Sequence, residues 1–190
     1  MKLERKPSTA LLPTPVVLLS VAGHGKQTPN IITLAWVGVA CSDPPMLSVA
    51  IRPSRHSYQL VNAAREFVVN VPRASLLTEV DLAGVWSGAA HDKFAELGLT
   101  AAPASRVGAP IIEECPVNIE CVVRHQLGLG AHDLYLAEVV AVQYDEDVLD
   151  ARGNVRPAAL DLFAYADGEY WSLGERIGSY GAAAKASGRR

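Results

Sequence analysis

The sequence contains few cysteines, no long apolar run and no strong excess of charge. The three cysteines, Cys41, Cys115 and Cys121, show none of the CxxC spacings of zinc or redox sites, so we expect reduced structural thiols and a cytoplasmic location. With a net charge of −3, the chain lacks the overall positive charge that is typical of nucleic-acid-binding proteins. The N-terminal apolar run, which Pro13 and Pro15 interrupt, is too short to cross a bilayer. We therefore expect neither a nucleic-acid partner nor a membrane partner.

The chain also lacks the glycine-rich loops of nucleotide-binding folds. The stretch GHGKQTPN at 23–30 fits neither GxGxxG nor GxxxxGK[ST], and a strand pattern follows it where a doubly wound fold needs a helix. Strand patterns dominate instead, at 16–22, 31–41, 46–52, 67–72, 117–125 and 133–144. With their turn signals, they predict a mainly β protein, a closed antiparallel barrel with helical decoration.

Three short helices are predicted, over 57–67, 74–86 and 91–99, and the last has a glycine stop at Gly98. In the strand over 117–125, apolar and polar residues alternate, which is typical of a half-buried strand. Asp167-Gly168 predicts a hairpin turn. At 190 residues we expect one domain, 1–190, with a core from about 10 to 181 and a C-terminal tail over 182–190. An apolar fraction of 49% against 19% charged residues favours a dimer.

A basic cluster, RPSRHSY at 52–58, follows one of these strands directly. No acidic residue lies between Asp43 and Glu66. Such a cluster suits a phosphate, because its oxygens can accept hydrogen bonds from arginine guanidinium groups, from serine hydroxyls and from the backbone N–H groups of a strand-to-helix junction. The alternative is a surface loop whose cations face water or form salt bridges with residues from elsewhere in the fold. The candidate phosphate ligands are Arg52, Ser54, Arg55 and Ser57.

Two further stretches carry candidate ligand-binding residues. NIITLAW places polar Asn30 and Thr33, and the bulky Trp36, on an otherwise apolar strand, although Thr33 and Trp36 also suit an ordinary core. In HDKF, Lys93 either faces a bound cofactor or lies on a solvated helix face. The histidines form no metal site by any spacing rule, so no metal is expected.

These motifs together resemble the flavin reductase-like, FMN-binding split-barrel family, and most of all its flavoredoxin-type members. The likeness starts in TPVVLLSV, continues through NIITLAWVGVACSDPPMLSVAIRPSRHSYQLV, EFVVNVP and SGAAHDKFAELGLT, and ends in ECPVNIECVV, GAHDLYLAEVVAV and GEYWSLGERIGSYG. It covers about residues 10 to 181, and several motifs match in order with sensible spacing.

The resemblance implies a six-stranded antiparallel split barrel of Greek-key type, a homodimer with FMN at the interface. It assigns the isoalloxazine and ribityl chain to the strand 30–36 and the loop 40–44, and the phosphate to the basic cluster. It also implies a histidine near the flavin and nicotinamide, His132, but the adjacent family aspartate is Ala131 here. The implied cofactor contacts are Asn30, Thr33, Leu34, Ala35, Trp36, Cys41, Ser42, Arg52, Ser54, Arg55, Ser57 and Lys93.

Three functions remain open at this level. The first is an NAD(P)H-dependent flavin reductase that takes hydride from NADH or NADPH, with no side chain needed as acid or base. The second is a flavoredoxin-like electron carrier that a redox partner protein reduces, and the missing carboxylate beside His132 favours it slightly. The third is a non-redox binding domain in which the basic cluster is merely surface. Similarity of fold does not decide between them.

Overall fold

The computed structural model describes residues 1–186. Its strands are β1 (Thr14–Pro15), β2 (Val17–Val21), β3 (Asn30–Leu34), β4 (Val37–Ser42), β5 (Pro45–Ile51), β6 (Glu66–Val71), β7 (Ala101–Ala102), β8 (Ile111–Ile112), β9 (Val117–Gly128), β10 (Asp133–Tyr144), β11 (Phe163–Ala166) and β12 (Glu169–Ser172). Its α-helices are α1 (His56–Ala64), α2 (Leu77–Val85), α3 (Lys93–Leu97) and α4 (Ala182–Ala186). Short 3₁₀ turns cover Ala74–Leu76, Glu146–Val148 and Pro157–Leu160.

The main sheet has seven antiparallel strands in the order β3-β2-β6-β9-β10-β5-β4. Its connection from β5 to β6 runs through α1 and skips the positions of β10 and β9, which is a Greek-key feature. A three-stranded sheet, β1-β11-β12, and the pair β7-β8 lie beside it. The protein is therefore mainly β with a few short helices, as the sequence predicts.

The two edge strands of the main sheet are consecutive in the chain. Only Ala35 and Trp36 separate β3 from β4, and the N–H of Ala50 donates a 2.9 Å hydrogen bond to the Trp36 carbonyl at this bend. Residues 30–42 therefore act as one bent strand that pairs with β2 through its first half and with β5 through its second. Counted in this way, six strand positions surround the barrel, which confirms the predicted six-stranded split barrel.

The barrel interior is the largest apolar core. Leu19, Val49, Ile51, Phe67 and Tyr135 are fully buried there and come from four different strands. Because neighbouring residues of a strand point to opposite faces, one set of alternate residues fills this interior. The core therefore comes from the period-two pattern that the sequence shows.

Helices α2 and α3 cover the outer face of β2 and β3. Leu18 and Ile31 point outward from these strands and pack against Val80 and Ala83 of α2 and Phe94 of α3. Strand β2 is thus buried on both faces, which explains why all its residues except Ser20 are apolar. This packing holds the two helices beside the first residues of β3, where the site lies.

The alternating strand β9 departs from its prediction. Its polar residues Asn118 and Glu120 were expected to face water, yet both are buried. The loop over 104–112 covers this face, and Asn118 donates to the Ile112 carbonyl at 3.1 Å. The half-buried prediction is therefore wrong for the first part of β9, because the pattern did not reveal which segment would cover it.

Glu120 holds the covering loop by its carboxylate. The backbone N–H groups of Ser105, Arg106 and Val107 donate to it at 2.9, 2.6 and 3.2 Å, and Gln143 donates at 2.8 Å. Burial by itself would raise the pKa of Glu120, but the hydrogen bonds from Ser105, Gln143 and Arg106 outweigh it and hold the pKa at about 2. The carboxylate is therefore charged and fully partnered inside the protein.

The remaining sequence predictions of local structure hold with small shifts of boundary. Helix α3 ends at Gly98 in the left-handed conformation, φ +66°, as the glycine stop predicts. The β11–β12 hairpin turns at Asp167 and Gly168, both with positive φ. In the predicted C-terminal tail, residues 182–186 form the exposed α4 and residues 187–190 lie outside the described residues. Within residues 1–186, no helix has the length and apolar character needed to span a membrane.

Candidate functional site

Three adjoining cavities lie on the side of the barrel where β3 bends into β4. The anion cavity, about 170 Å³, lies at the start of α1, and the central cavity, about 380 Å³, lies along β3 to Trp36. They adjoin because Ile32, Arg55 and Gly84 line both. The apolar cavity, about 780 Å³, shares Trp36 and Tyr165 with the central one and extends towards the N-terminal segment.

The start of α1 gives the anion cavity its electrostatic character. Arg55 occupies the N-cap position and provides no side-chain oxygen to the helix, and no acidic residue lies in the first turn. The first N–H groups of a helix carry its positive dipole end and need an acceptor. The cavity is lined by Ser54, His56 and Ser57 of this segment, and by no carboxylate. The charge and the donors of this cavity suit an anion.

Asn30 and Ser57 join β3 to α1 across the anion cavity. The amide Nδ2 of Asn30 donates a 2.7 Å hydrogen bond to Ser57 Oγ, and both side chains are buried. A Cβ on Gly88 would come within 2.1 Å of Asn30 Oδ1, so only glycine lets the loop after α2 pack against this amide. The three residues fix the cavity wall.

Lys93 is the buried cation of the anion cavity. It is 3% exposed, and its Nζ donates to the carbonyls of Ile31 at 2.8 Å and Ala83 at 2.7 Å. Burial and, as the smaller cause, the nearby positive charge of Arg55 together lower the pKa of Lys93 to about 8. The ammonium has three protons, and one is left beyond these two carbonyls. The solvated-face alternative is thus wrong, because α3 packs this side chain inward.

The central cavity contains the second half of β3. Thr33, Leu34, Ala35 and Trp36 all line it. The hydroxyl of Thr33 donates to the Val80 carbonyl and so ties β3 to α2. Trp36 is 44% exposed, so the alternative that it is an ordinary core residue is wrong. The strand therefore offers one wide aromatic surface at the bend.

Arg52 lies in the central cavity, close to His132. Its Nε donates to His132 Nε2 at 3.3 Å, so in the neutral imidazole Nδ1 carries the proton. Burial lowers the pKa of His132, and the charge of Arg52 lowers it further. The His132 ring stacks parallel to Trp36 with ring centres 6.3 Å apart. Arg52 does not line the anion cavity, so the structure separates it from Ser54, Arg55 and Ser57.

A carboxylate does follow His132, but it belongs to another network. Asp133 accepts hydrogen bonds from the Tyr58 hydroxyl at 2.8 Å and from Gln126 at 2.9 Å. These bonds from Gln126 and Tyr58 lower the pKa of Asp133. Because Asp133 is bonded to Tyr58 and Gln126 and not to His132, it does not replace the missing carboxylate at Ala131.

Cys41 and Ser42 are the two candidate residues that the single chain leaves apart from the cavities. They lie at the far end of β4, and the thiol of Cys41 donates to the Asp43 carbonyl at 3.3 Å. Within residues 1–186, no cluster of His, Cys, Asp and Glu forms a metal site. The role of Cys41 and Ser42 at a cofactor therefore stays a prediction.

The sequence allows Tyr165 and Tyr170 to cover a flavin from a partner subunit, with core packing as the favoured alternative, but it gives no role to Trp86 or Gly88. Tyr165 and Tyr170 line the central cavity from β11 and β12, and Trp86 and Gly88 line the anion cavity from the loop after α2. The hydroxyl of Tyr170 donates to Asp81 of α2 at 3.1 Å, and burial together with Asp81 raises the pKa of Tyr170 to about 12. No local motif marks Trp86 and Gly88, because the packing of distant segments brings them to the cavity.

Comparison with known proteins gives one consistent family. A family model described as the flavin reductase like domain matches residues 9–174. The flavoredoxin of Desulfovibrio vulgaris (Miyazaki F) aligns with a TM-score of 0.90 and 32% identity, over 96% of this chain and 99% of that chain. An uncharacterised protein of Archaeoglobus fulgidus is 36% identical over 131 residues, 69% of this chain and 74% of that protein.

A shorter match concerns a named enzyme. FMN reductase (NADH) RutF of Stutzerimonas stutzeri is 29% identical over 110 residues, 57% of this chain and 60% of that protein. The family model spans most of the chain, and the flavoredoxin shares its fold over nearly the whole length. The chain therefore belongs to the flavin reductase-like family of FMN-binding split-barrel proteins.

Proposed function

We propose that this protein binds FMN in the anion and central cavities and acts as an NAD(P)H-dependent flavin reductase. The observation that carries the proposal is the junction of the two cavities at Arg55, with an anion site at one end and an aromatic surface at the other. FMN has the same two parts, a phosphate and a flat ring system. When bound, it supplies the redox chemistry by accepting hydride and passing electrons on.

The residues of the anion cavity fit a flavin phosphate. The uncapped N–H groups of α1, the hydroxyls of Ser54 and Ser57, and the Arg55 guanidinium are donors without a competing carboxylate. Lys93 adds a positive charge behind them. Asn30 orients the Ser57 hydroxyl. These groups would hold the phosphate, and the chain needs no metal for this task.

The residues of the central cavity fit the flat ring system of FMN. Trp36 and Tyr165 offer aromatic surfaces, with ring centres 6.5 Å apart. Arg52 and His132 lie beside Trp36, and the imidazole keeps an N–H at Nδ1 because Nε2 accepts from Arg52. A neutral N–H donor next to the ring site suits the carboxamide of a nicotinamide. This is our reason for proposing NADH or NADPH as the electron donor.

A second candidate function is an electron carrier. The similar structure from Desulfovibrio vulgaris is named a flavoredoxin, and the match covers 96% of this chain. The missing carboxylate beside His132, where Ala131 lies, also favours a protein donor over nicotinamide. In this case FMN would bind in the same way, and a redox partner protein would reduce it.

The visible spectrum of the purified protein tests these proposals. We expect a yellow protein, or one that becomes yellow with added FMN, and bleaching on anaerobic addition of NADH or NADPH. A yellow protein that neither nicotinamide bleaches would replace the reductase by the carrier. A colourless protein that takes up no FMN would overturn both and leave the non-redox binding domain.

We also propose that the protein is a homodimer that functions in the cytoplasm. The segment after β12 runs along the surface without regular structure, and Ile177 and Tyr180 in it are fully exposed. Leu173 and Trp171 next to them are more than half exposed. A run of exposed apolar side chains suits a second copy of this chain. The three free thiols, two of them buried, suit a reducing compartment.

Light scattering after gel filtration tests the dimer. We expect twice the 20.2 kDa chain mass for the wild type and the chain mass for the double variant Ile177→Asp, Tyr180→Asp. Glu113→Lys changes an exposed side chain elsewhere and serves as the control. A monomeric wild type, or a double variant that stays dimeric, would contradict this interface.

A further inference from the structure

Asp81 is the carboxylate of the central cavity, and the proposed function gives it no task. It lies on α2, where Asp81, Gly84 and Val85 line the cavity together because residues three and four apart share one face of a helix. The other lining side chains that carry a charge at neutral pH are the cations Arg52 and Arg55. A single negative charge thus lines the space that we assign to the flavin ring.

Tyr170 holds the Asp81 carboxylate in this position. Its hydroxyl donates to Asp81 Oδ1 at 3.1 Å, and with a pKa of about 12 it stays protonated at neutral pH. The Tyr170 ring makes edge-to-face contacts with Phe163 and Tyr165, with ring centres 5.9 and 6.1 Å apart. The carboxylate therefore has a defined place in the cavity that contains the aromatic surface of Trp36 and Tyr165.

No cation neutralises this carboxylate within residues 1–186. None of those residues forms an ion pair with Asp81, and Arg52 donates to His132 instead. The hydrogen bond that the Asp81 side chain accepts comes from a neutral hydroxyl. Its negative charge therefore acts on the occupant of the cavity.

The charge of a flavin ring depends on its redox state. Two electrons and one proton convert the neutral oxidised ring into an anion, whereas the phosphate is the same in both states. A carboxylate that lines the ring site repels this anion and does not repel the neutral ring. Because Asp81 is exposed, water screens part of this repulsion.

We propose that Asp81, held by Tyr170, is a specificity-determining residue that weakens the binding of reduced FMN relative to oxidised FMN. Its charge offsets the attraction of Arg52 and Arg55 for the reduced ring, so that bound reduced FMN is a stronger electron donor. Tyr170 is a positioning residue, because it acts on the flavin through the carboxylate. The proposal rests on the proposed FMN function and adds a redox preference to it.

Dissociation constants of oxidised and reduced FMN, measured on the full chain by anaerobic calorimetry, test this role. Their ratio reports the redox preference, because binding and reduction are linked. We expect Asp81→Asn, which keeps an oxygen for the Tyr170 hydroxyl, to tighten reduced FMN about 5-fold relative to oxidised FMN. Asp81→Glu keeps the charge and should change the ratio by less than about 2-fold. Tyr170→Phe should change the ratio in the same direction as Asp81→Asn by a smaller factor.

Glu169→Gln is the matched control. Glu169 precedes Tyr170 on β12, is exposed and lines none of the three cavities, so its removal changes the net charge equally and should leave the ratio unchanged. An unchanged ratio in Asp81→Asn would overturn the proposal. So would an equal change in Asp81→Asn and Glu169→Gln, because net charge would then be the cause. A wild type that binds neither form of FMN would instead overturn the proposed function itself.

Discussion

The side chain of Asn30 donates a 2.7 Å hydrogen bond to Ser57, although 27 residues separate them in the sequence. Asn30 is the first residue of β3, and Ser57 lies in the first turn of α1. Both are buried, so the bond is protected from water and fixes the distance between strand and helix. The anion cavity lies at this contact, and several predictions depend on it.

Removing the phosphate donors should weaken FMN far more than riboflavin. We expect Ser57→Ala and Arg55→Ala to raise the dissociation constant of FMN by about 10-fold or more, since hydrogen bonds to charged groups contribute about 1.5–3 kcal/mol. Riboflavin has no phosphate and should change little. Arg52→Ala should show a smaller preference for FMN, because Arg52 lies beside His132 in the central cavity. Equal weakening of both ligands by Ser57→Ala would show that the cluster supports the fold and not a phosphate.

Lys93 should make FMN binding depend on pH. Its pKa is lowered to about 8, so the free protein loses this charge as the pH rises through 8. A bound phosphate favours the charged form, and FMN affinity should therefore fall above pH 8 while riboflavin affinity stays constant. Lys93→Met should bind FMN about 10-fold more weakly at pH 7 and lose this decline. Binding titrations with FMN at pH 7, 8 and 9 measure this decline in affinity. If the decline persists in Lys93→Met, a group other than Lys93 causes it.

Glu120 should stabilise the fold in a pH-dependent way. Its pKa falls from 4.5 to about 2 on folding, so its contribution is complete above pH 4.5 and is lost as the pH falls towards 2. The shift corresponds to about 3 kcal/mol. Glu120→Gln should lower the free energy of unfolding at pH 7 by a similar amount and flatten its dependence between pH 4.5 and 2.

Denaturant unfolding at pH 7 and pH 3 measures the effect of Glu120. Glu113→Gln is the matched control, because that side chain is exposed. If both variants lose the same stability, the buried network around Ser105 is not the source.

His132 should act on the nicotinamide and not on the flavin. Its ring lies beside Trp36, and its Nδ1–H is the donor that Arg52 leaves free. We expect His132→Ala to raise the KM for NADH or NADPH by about 10-fold and to change FMN affinity by less than about 2-fold. His125→Ala, an exposed histidine on β9, is the control. An unchanged KM would remove the proposed nicotinamide contact.

Much of the fold was predictable because its signals are local. The period-two patterns of β9 and β10, the Asp167-Gly168 turn and the Gly98 stop each depend on neighbouring residues. The burial of Asn118 and Glu120 was not predictable, because the loop over 104–112 covers them from another part of the chain. The alternation of apolar and polar residues shows which side chains share one face of a strand, but it does not show which other segment packs on that face.

The residues of the candidate site also fall into two groups, those that the sequence reveals and those that only tertiary packing brings together. Ser54, Arg55 and Ser57 are neighbours in sequence, so their cluster and the helix start are visible in the sequence. Trp86 and Gly88 were missed, because only the packing of α2 and α3 on β3 brings them to the cavity. Arg52 belongs to the same motif, yet the end of β5 places it beside His132.

By itself, the sequence determined the strands, their turns and a cluster of arginine and serine side chains at the start of a helix. These follow from residue spacing and from local backbone preferences, which act over a few residues. The tertiary structure alone decided that Lys93 is a buried cation, that Asn30 meets Ser57, and that Arg52 and Arg55 line different cavities. Those facts depend on contacts between distant segments, and the closure of the barrel at Trp36 brings such segments together.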